Sequence, residues 1–403
     1  MKKQLMYATL LMGALSSCSN DSESISQPGV DPAGREVIQL AVGNGNGLSV
    51  ATRGTGMVGD TVNANWNGET LNIMMMNHGT LEYAADEDIQ GNKVEVMNNV
   101  ELTAPVGNGT GFVTGAASQD KQYFYYPTVG NFDFYGYHVD DAKLSEPYVL
   151  ATNDQLMVVD FDINGSQDLM TAKADFTADS LKAQEAAAPD YYDWNVEQNK
   201  VRKYSAFAAR RGTQPTLVFN HWLTKLNFKF VIPESEAPVI DEENGINTTI
   251  YVDSLSLKAI HEGQLVVANT AGEPGQIMWN EADTTTMWLM EKAEGETYLQ
   301  TLSTQALSTE VQNLGAGMML APAAEYEATI YIHQTPEGRT EAIAKPIPMT
   351  IKLPANAASA LFAAGTAYNV VVTVYGLQEI QVTTELTNWI DGGDIEITPE
   401  DEI

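Results

Sequence analysis

LVF at residues 217–219 is a short apolar run, and LNFKFVI at residues 226–232 alternates apolar and polar side chains along most of its length. A period of two residues is the pattern of β-strands that bury one face. Similar alternation or a short apolar run recurs in six more segments: Val37–Val42, Leu71–Met76, Ile250–Leu257, Thr329–Ile332, Met349–Leu353 and Tyr368–Tyr375. The chain also contains 32 glycines and 16 prolines, many of them between these segments. Such punctuation predicts an all-β fold built from β-sandwiches, with short helices at Ser180–Ala188 and Ala355–Ala364.

The length and composition predict two globular domains. A single core stops growing near about 250–300 residues, whereas this chain has 403 residues, of which 44% are hydrophobic. The locally basic stretch Lys200–Pro215 ends in glycine and proline, so we place the domains at residues 54–214 and 215–403. The formal net charge is −32. A surface this acidic repels phosphate, which argues against nucleic acid as a partner and against binding anionic lipid through basic patches.

The N-terminus has the features of an export signal. Two lysines precede the apolar run Leu5–Leu15, which is too short to span a bilayer because a spanning helix needs about 20 residues. Cys18 is the only cysteine and follows small residues, an arrangement that resembles a bacterial lipobox. Residues 1–17 would then be removed and the Cys18 thiol would carry the lipid; the alternative is an ordinary secretory signal. Because Ser19 rather than Asp follows the cysteine, the resemblance to bacterial lipoproteins implies delivery to the cell outer membrane.

The motifs of common catalytic and cofactor sites are incomplete in this sequence. The five histidines are not spaced as metal ligands. Gly54–Gly59 matches G-x-G-x-x-G, but no helix pattern follows it, so we interpret it as a glycine-rich loop. The segment beginning at Asp160 and Asp162 opens like a calcium loop, yet Thr171 stands where a bidentate carboxylate is needed, which leaves open only a weak calcium site. We therefore expect no enzyme activity, no cofactor and no metal centre.

Aromatic residues cluster in two places. Tyr123–Pro127 and Phe132–Tyr137 form a dense pair of segments whose rings could stack on sugars or fill a sandwich core, and the core is the favoured interpretation. Tyr191, Tyr192 and Trp194 follow Pro189 in a polar stretch and are better candidates for an exposed patch. A surface protein that binds glycans through these rings is therefore one functional hypothesis.

Arg53 is a candidate processing site. It lies between a strand-like segment and a glycine-rich stretch, a context that trypsin-like proteases prefer. Cleavage between Arg53 and Gly54 would detach a strand formed by Val37, Ile38, Leu40 and Val42. Loss of a paired strand exposes an apolar groove with unpaired N–H and C=O groups, which is a template for a strand from another molecule.

The C-terminus supplies a suitable strand. Ile380, Val382 and Leu386 lie on one face of an alternating segment. A break at Asn388–Gly393, which contains Trp389, precedes a second alternation at Ile395 and Ile397. The alternative is that the two ends of the chain are simply the terminal strands of an ordinary sandwich.

Taken in order along the chain, several short motifs resemble those of the fimbrillin family of Bacteroidales, the subunits of type V fimbriae. They are Cys18, Ala51–Arg53, Tyr126-Pro127, Phe134–Tyr137, Asp168–Ala172, Phe219–Leu226, Gly365–Val370 and Asn388-Trp389. Trp222 departs mildly from the family pattern. The resemblance implies two tandem transthyretin-like Greek-key β-sandwich domains.

The same resemblance implies a function. Fimbrillins are exported as lipoproteins, cut after an arginine by a gingipain-like or trypsin-like protease and polymerised by donor-strand exchange. Carried over, residues 18–53 hold the tether and the removed strand, and about residues 377–403 are the donor. The implied role is a structural subunit of a fimbria that supports adhesion, with other pilin subunits and a host glycan or protein receptor as partners. An accessory anchor or tip subunit, or a non-polymerising lipoprotein that binds glycans, is the alternative.

Overall fold

The structure is a computed structural model that describes residues 35–44, 66, 68–87, 91–105, 111–114, 123–140, 142–188, 190, 192–293, 299–353, 357, 359–377 and 379–387. Within these ranges strands far outnumber helices, which confirms the all-β prediction. No helix in the described ranges is long and apolar enough to cross a membrane.

Numbered in chain order, the strands of the first half are β1 Ala41–Asn44, β2 Thr70–Asn77, β3 Ala85–Glu87, β4 Lys93–Glu95, β5 Val100–Thr103, β6 Gly111–Phe112, β7 Phe132–Val139, β8 Lys143–Leu144, β9 Tyr148–Val149, β10 Leu156–Asp162, β11 Leu169–Lys173 and β12 Thr216–His221. The helices are α1 Ala178–Ala187 and α2 Ala206–Ala209, with single 3₁₀ turns at Glu197–Asn199 and Glu234–Glu236.

The strands of the second half are β13 Thr224–Val231, β14 Ile240–Asp241, β15 Ile246–Asn247, β16 Ile250–Ile260, β17 Glu262–Asn269, β18 Ile277–Trp279, β19 Thr284–Trp288, β20 Met290–Lys292, β21 Leu299–Thr301, β22 Gln305–Ala306, β23 Gln312–Leu320, β24 Glu325–Gln334, β25 Ile343–Lys352, β26 Thr366–Tyr375 and β27 Glu379–Thr387.

The largest sheet has the order β5-β2-β7-β11-β12-β1-β6, and its strand β2 is buried on both faces. On β2, Leu71, Ile73 and Met75 enter one core, while Met74 and Met76 enter the other. The run of three methionines is thus a strand with apolar neighbours on both sides. We call the core that contains Leu71, Ile73, Met75 and residues 38–42 the groove core, and the core that contains Met74 and Met76 the central core.

The central core continues between two further sheets. The sheet β23-β13-β26-β27 contributes Phe228 and Val370, and the sheet β19-β16-β24-β25 contributes Leu257 and Ile330. On β13 the burial alternates strictly along the strand, as the sequence pattern predicts. The remaining sheets are β18-β17-β10-β8 and the two-stranded ribbons β3-β4, β14-β15 and β20-β21.

Two strand pairings bear on the domain boundary, which stays a prediction. β12 begins at Thr216, just past the proposed boundary, and lies in the largest sheet beside β1 and β11. β17 pairs antiparallel with β10, so residues 262–269 share a sheet with residues 156–162. Trp222 lies close to these elements: its Nε1 donates to Thr171 Oγ1 at 2.8 Å. Its ring packs so tightly on Gly275, at φ +104°, that a Cβ there would lie 1.9 Å from a ring carbon.

The two helix predictions have different outcomes. Ser180–Ala188 is confirmed as α1, whose N-cap Thr177 accepts a hydrogen bond from Ser180 N. The prediction of a helix over 355–364 is wrong for the residues of that range that the structure describes, 357 and 359–364. There Phe362 is buried in the central core, and its N–H donates to Ala323 O at 2.8 Å rather than to a helical carbonyl.

Candidate strand-exchange groove

Residues 35–44, here called the leading segment, are inserted into the largest sheet. β1 runs parallel to β12, with Ala41 opposite Thr216 and Val42 opposite Leu217. On its other side β1 pairs antiparallel with β6. We call the space that the leading segment fills the groove. Of the predicted strand Val37–Val42, Ala41 and Val42 lie in β1 and Val37 forms an isolated bridge with Tyr125, while the removal of this strand stays a prediction.

Backbone hydrogen bonds hold the leading segment along most of its length. Ile38 N donates to Phe124 O at 2.8 Å, and Tyr126 N donates to Glu36 O at 2.9 Å. Further along, Val113 N donates to Leu40 O at 3.0 Å, and Ala41 N donates to Pro215 O at 3.1 Å. The segment is therefore bonded from both sides, as a central strand of a sheet is.

Two side chains complete this pairing where backbone partners are out of register. Leu40 N donates to Thr114 Oγ1 at 2.7 Å, and the same hydroxyl donates to Ile38 O at 2.6 Å. On the opposite edge Gln39 N donates to Gln214 Oε1 at 3.1 Å, and Gln214 Nε2 donates to Val37 O at 3.3 Å. Each of the two side chains thus binds one N–H and one C=O of the leading segment, and neither interaction depends on the segment's own side chains.

Apolar side chains fill the floor of the groove. Ile38, Leu40 and Val42 each have 0% of their surface exposed and belong to the groove core, while Val37 is half-buried. Alternation within the segment directs these side chains to the same side, as the sequence pattern predicts. Leu217 and Phe219 of β12 and Tyr126 belong to the same core. The structure therefore brings three of the four residues of the predicted removed strand into one core, while Val37 forms an isolated bridge with Tyr125 outside it.

Trp66 is the first described residue after the leading segment, and it closes this core. It is 1% exposed, and its ring meets Phe219 edge-on at a centroid distance of 5.3 Å and His138 at 6.2 Å. Because Trp66 lies on the C-terminal side of the predicted cut, it would remain with the subunit after the leading segment leaves. Sequence reasoning did not single out Trp66, Thr114 or Gln214.

Charged residues fix the start of the leading segment at the surface. Arg35 Nη1 lies 2.7 Å from Asp86 Oδ2, and the guanidinium also lies over the Tyr125 ring at 5.5 Å from its centroid. Arg210 Nε lies 3.2 Å from Glu36 Oε1. Partly exposed ion pairs of this kind contribute little, about 0–1 kcal/mol each, so the apolar floor and the backbone pairing dominate.

A buried polar network lies beside the groove core. His138 Nε2 lies 2.8 Å from Asp140 Oδ1, and its Nδ1 lies 2.7 Å from Thr70 O. Asp140 Oδ2 accepts from Asp168 N at 3.2 Å, and the Asp168 carboxylate pairs with His221 Nδ1 at the end of β12. Burial works against the charged imidazolium, but the charge and hydrogen bond of Asp140 outweigh it and raise the pKa of His138 to about 9.

The predicted processing and lipidation residues lie outside the described residues. Cys18, Arg53 and Gly54 all fall there, so the cut after Arg53 and the lipid on Cys18 stay predictions. The described chain does show that the predicted cut falls between two buried anchors, Val42 and Trp66.

The structure separates the predicted donor into two parts. Ile380, Val382 and Leu386 lie in β27, which pairs antiparallel with β26 of the same chain from Glu379 to Thr387. β27 is the last strand in the described order of its sheet. Trp389, Ile395 and Ile397 lie outside the described residues. The first alternating stretch is thus paired within its own subunit.

The other candidate residues are occupied in different ways. Phe132, Phe134, Tyr135 and Tyr137 are buried, so the core interpretation of these rings is correct. Tyr192 and Trp194 lie together, with ring centroids 6.3 Å apart, beside Arg211, which lies over the Tyr192 ring.

The carboxylates of the suspected calcium loop bind protein groups. Asp160 accepts from Tyr148 OH at 2.8 Å, and Asp162 pairs with His261 Nδ1 at 2.7 Å. The structure also brings His261, Glu262 and Asp283 together with ligand atoms within 4.8 Å of one another, a set that could hold a metal ion. Asn280 Nδ2 already donates to Glu262 at 2.6 Å.

Solved structures with a similar chain course come from Bacteroidales. A candidate cell adhesion protein from Bacteroides uniformis is 17% identical with a TM-score of 0.42, covering 89% of this chain and 99% of its own. A second, from Bacteroides ovatus, is 15% identical with a TM-score of 0.38, covering 89% and 100%. The fimbrial anchor protein Mfa2 from Porphyromonas gingivalis is 10% identical with a TM-score of 0.32, covering 87% and 98%.

No protein-family model and no curated protein matches the chain. With TM-scores below 0.5, the structural comparisons transfer no residue role to it.

Proposed function

We propose that the chain is a structural subunit of a cell-surface fimbria that polymerises by strand exchange. The observation that carries this proposal is the seating of the leading segment. Both of its backbone edges are hydrogen-bonded and Ile38, Leu40 and Val42 are fully buried, yet the segment precedes a candidate protease site at Arg53. The leading segment therefore fills a site that another molecule's strand could take after cleavage.

The energetics favour replacement over an empty groove. Each fully buried Ile, Leu or Val contributes about 1.5–3 kcal/mol, so the three side chains supply roughly 5–9 kcal/mol before entropy costs. A folded domain is stable by only about 5–15 kcal/mol in total. The unpaired N–H and C=O groups along the groove add a further penalty. A cleaved subunit with a vacant groove is thus poorly stable. An incoming strand restores the buried apolar contacts and the backbone hydrogen bonds that the leading segment made.

The donated strand is best placed beyond β27. Donation of the whole predicted donor, residues 377–403, would break the nine-residue ladder between β27 and β26. Donation of residues 388–403 alone leaves that ladder intact. Ile395 and Ile397 then take the role of the buried side chains, Trp389 lies at the base of the donor, and β27 ties the donor to its own subunit.

Exchange of this kind propagates. The groove and the donor are different surfaces of one chain, so the contact is head-to-tail and does not close on itself. A heterologous contact that does not close gives a filament. In this proposal a lipid on Cys18 would hold the uncut precursor at the outer membrane. A trypsin-like or gingipain-like protease would release it by cutting after Arg53. The assembled filament would then present its surface to host receptors.

The test compares three forms of the full chain under limited digestion with a trypsin-like protease. The wild-type protein should lose a fragment that ends at Arg53 and form polymers, seen by native gels and electron microscopy. Arg53→Gln should stay monomeric under the same digestion. A chain truncated after Thr387 should be cut normally but fail to polymerise, because it keeps β27 and lacks the donor. Cleaved wild-type protein that never assembles, or truncated protein that assembles normally, would contradict the proposal.

A further inference from the structure

The outer face of the β19-β16-β24-β25 sheet carries a row of four aromatic rings, of which one is exposed and three are half-buried. Trp288, on β19, is 45% exposed, and its ring lies 5.6 Å from that of Tyr331, on β24, with an interplanar angle of 34°. Two residues further along β24, His333 stacks on Tyr251 at 4.8 Å and 9°. His333 Nδ1 is held at 2.9 Å by the Asp253 carboxylate, which fixes the orientation of its ring. The four rings form what we call the aromatic row.

A groove of about 710 Å³ lies beside the aromatic row. Its lining includes Tyr331, the apolar residues Leu257, Ala328, Pro348 and Met349, and six hydroxyl or charged residues: Ser256, Lys258, Thr286, Glu327, Thr329 and Thr350. The strand register explains this arrangement. Lys258 lies opposite Thr286 on one side and Glu327 on the other, while Ser256 lies opposite Trp288 and Thr329. Side chains with the same parity on neighbouring strands share a face, so the sheet presents polar groups in a grid next to the rings.

Carbohydrate has the chemistry that this face can recognise. A pyranose ring offers a flat C–H face that packs on an aromatic ring and a rim of hydroxyls that both donate and accept hydrogen bonds. The sheet supplies both kinds of partner in one shallow site, with apolar rings at the edge and a few directed polar groups beside them.

The charge around the groove indicates which class of carbohydrate it could bind. Lys258 and Glu327 oppose each other across the groove, so its lining has no net charge from this pair. The chain as a whole has a formal net charge of −32. A field of that sign disfavours sialylated or sulfated chains and leaves neutral glycans as the matching class.

We propose that the aromatic row and its groove bind a neutral oligosaccharide. Trp288 and Tyr331 stack on sugar rings, and Thr286 and Thr329, whose side chains are at least partly exposed, bond to sugar hydroxyls. This site lies on a sheet that does not contain β1 or β12. Sugar binding therefore requires neither cleavage nor polymerisation, and it stands independently of the proposed strand exchange.

The test uses the uncut full chain and immobilised polysaccharides of defined charge. Dextran, mannan and laminarin serve as neutral probes, and heparin serves as the acidic probe. The wild-type protein should bind at least one neutral probe and not heparin. Trp288→Ala should weaken that binding by about tenfold or more, as truncation of a central aromatic contact does, whereas Trp288→Phe should retain part of it.

Trp194→Ala is the matched control, because it removes a partly exposed indole from the other aromatic patch and should leave binding unchanged. Thr329→Val, which removes a hydroxyl at similar volume, should also weaken binding if the groove takes part. Failure to bind any neutral probe, preference for heparin, or equal affinity of the Trp288→Ala variant and the wild type would overturn the proposal. Binding that Trp194→Ala abolishes would assign the sugar to the other patch and overturn it as well.

Discussion

Substitution of Leu40 by alanine in the uncut chain tests how firmly the leading segment is held. Leu40 is 0% exposed, and its own N–H and C=O are bonded to Thr114 and Val113. Removal of a fully buried leucine side chain costs about 2–5 kcal/mol, from lost transfer energy and the cavity left behind. This is a large fraction of the roughly 5–15 kcal/mol that stabilises a folded domain. We therefore expect the leading segment of Leu40→Ala to leave the groove at a much lower denaturant concentration.

The chain has six tryptophans, so the part of the fluorescence change during urea unfolding that a Trp66→Phe background removes is the part that reports on the groove core. The control is Val218→Ala on β12, because Val218 lies opposite Gly43 yet is 39% exposed on the other face. The control should change stability by less than about 0.5 kcal/mol. Leu40→Ala should also bind a synthetic peptide of residues 388–403 without prior cleavage. If Leu40→Ala and Val218→Ala had the same unfolding midpoint, the leading segment would not be part of the core and the reasoning would fail.

Two further predictions concern polar groups near the groove. Thr114→Val should destabilise the uncut protein by about 1–3 kcal/mol in a urea titration, because Leu40 N and Ile38 O lose the hydroxyl that both of them bind. Thr114→Ser keeps the hydroxyl and should have a stability close to that of the wild type. Equal destabilisation by both substitutions would show that the methyl group matters instead. His138 has a folded-state pKa of about 9 against about 6.5 in an unfolded chain, so its pairing with Asp140 stabilises the fold fully below about pH 6.5 and loses that contribution as the pH rises through about 9. Urea midpoints measured from pH 6 to 10 should fall for the wild type and fall less for His138→Gln, and parallel curves would contradict this assignment.

Local alternation predicted some of the strands, among them β13, but not others such as β17 and β23. The polar and apolar residues of Leu226–Ile232 alternate because β13 has one face in the central core, and the burial of successive side chains along β13 follows the same period. The predicted strand at Leu71–Met76 is also present, although its two buried faces could be recognised only after the neighbours of β2 were known. Turn residues and periodicity depend only on local sequence, so they can predict whether a segment such as these forms a strand.

The pairing of strands that are distant in sequence could not be predicted from the sequence. Nothing local indicates that β1 would lie parallel to β12, whose sequence lies about 175 residues further on, or that Gln214 would reach its backbone. The partner of β17 was equally hidden, because β17 itself was not predicted and its apolar run Leu265–Ala268 carries no signal for which strand it joins. The same limit applies to β27, whose pattern suits both an incoming donor and its actual place beside β26.

The aromatic row was missed for a related reason. Trp288, Tyr331 and Tyr251 come from three strands and are neighbours only through the register of β16 with β19 and β24. The dense aromatic segment at Phe132–Tyr137 attracted attention because its rings are adjacent in sequence, yet these rings fill the cores. Clustering in sequence therefore predicted burial here, and the exposed rings were dispersed.

The identity of the strand in the groove of an assembled subunit is the most direct measure of the account. Subunits labelled with ¹⁵N and carrying a photo-cross-linking amino acid in place of Thr216, which lies opposite Ala41, would be mixed with unlabelled subunits, cleaved and irradiated. Mass spectrometry should find the labelled residue-216 peptide joined to an unlabelled peptide from residues 388–403. Cross-links only to residues 36–44 of the same labelled chain, in material that has nevertheless polymerised, would contradict strand exchange.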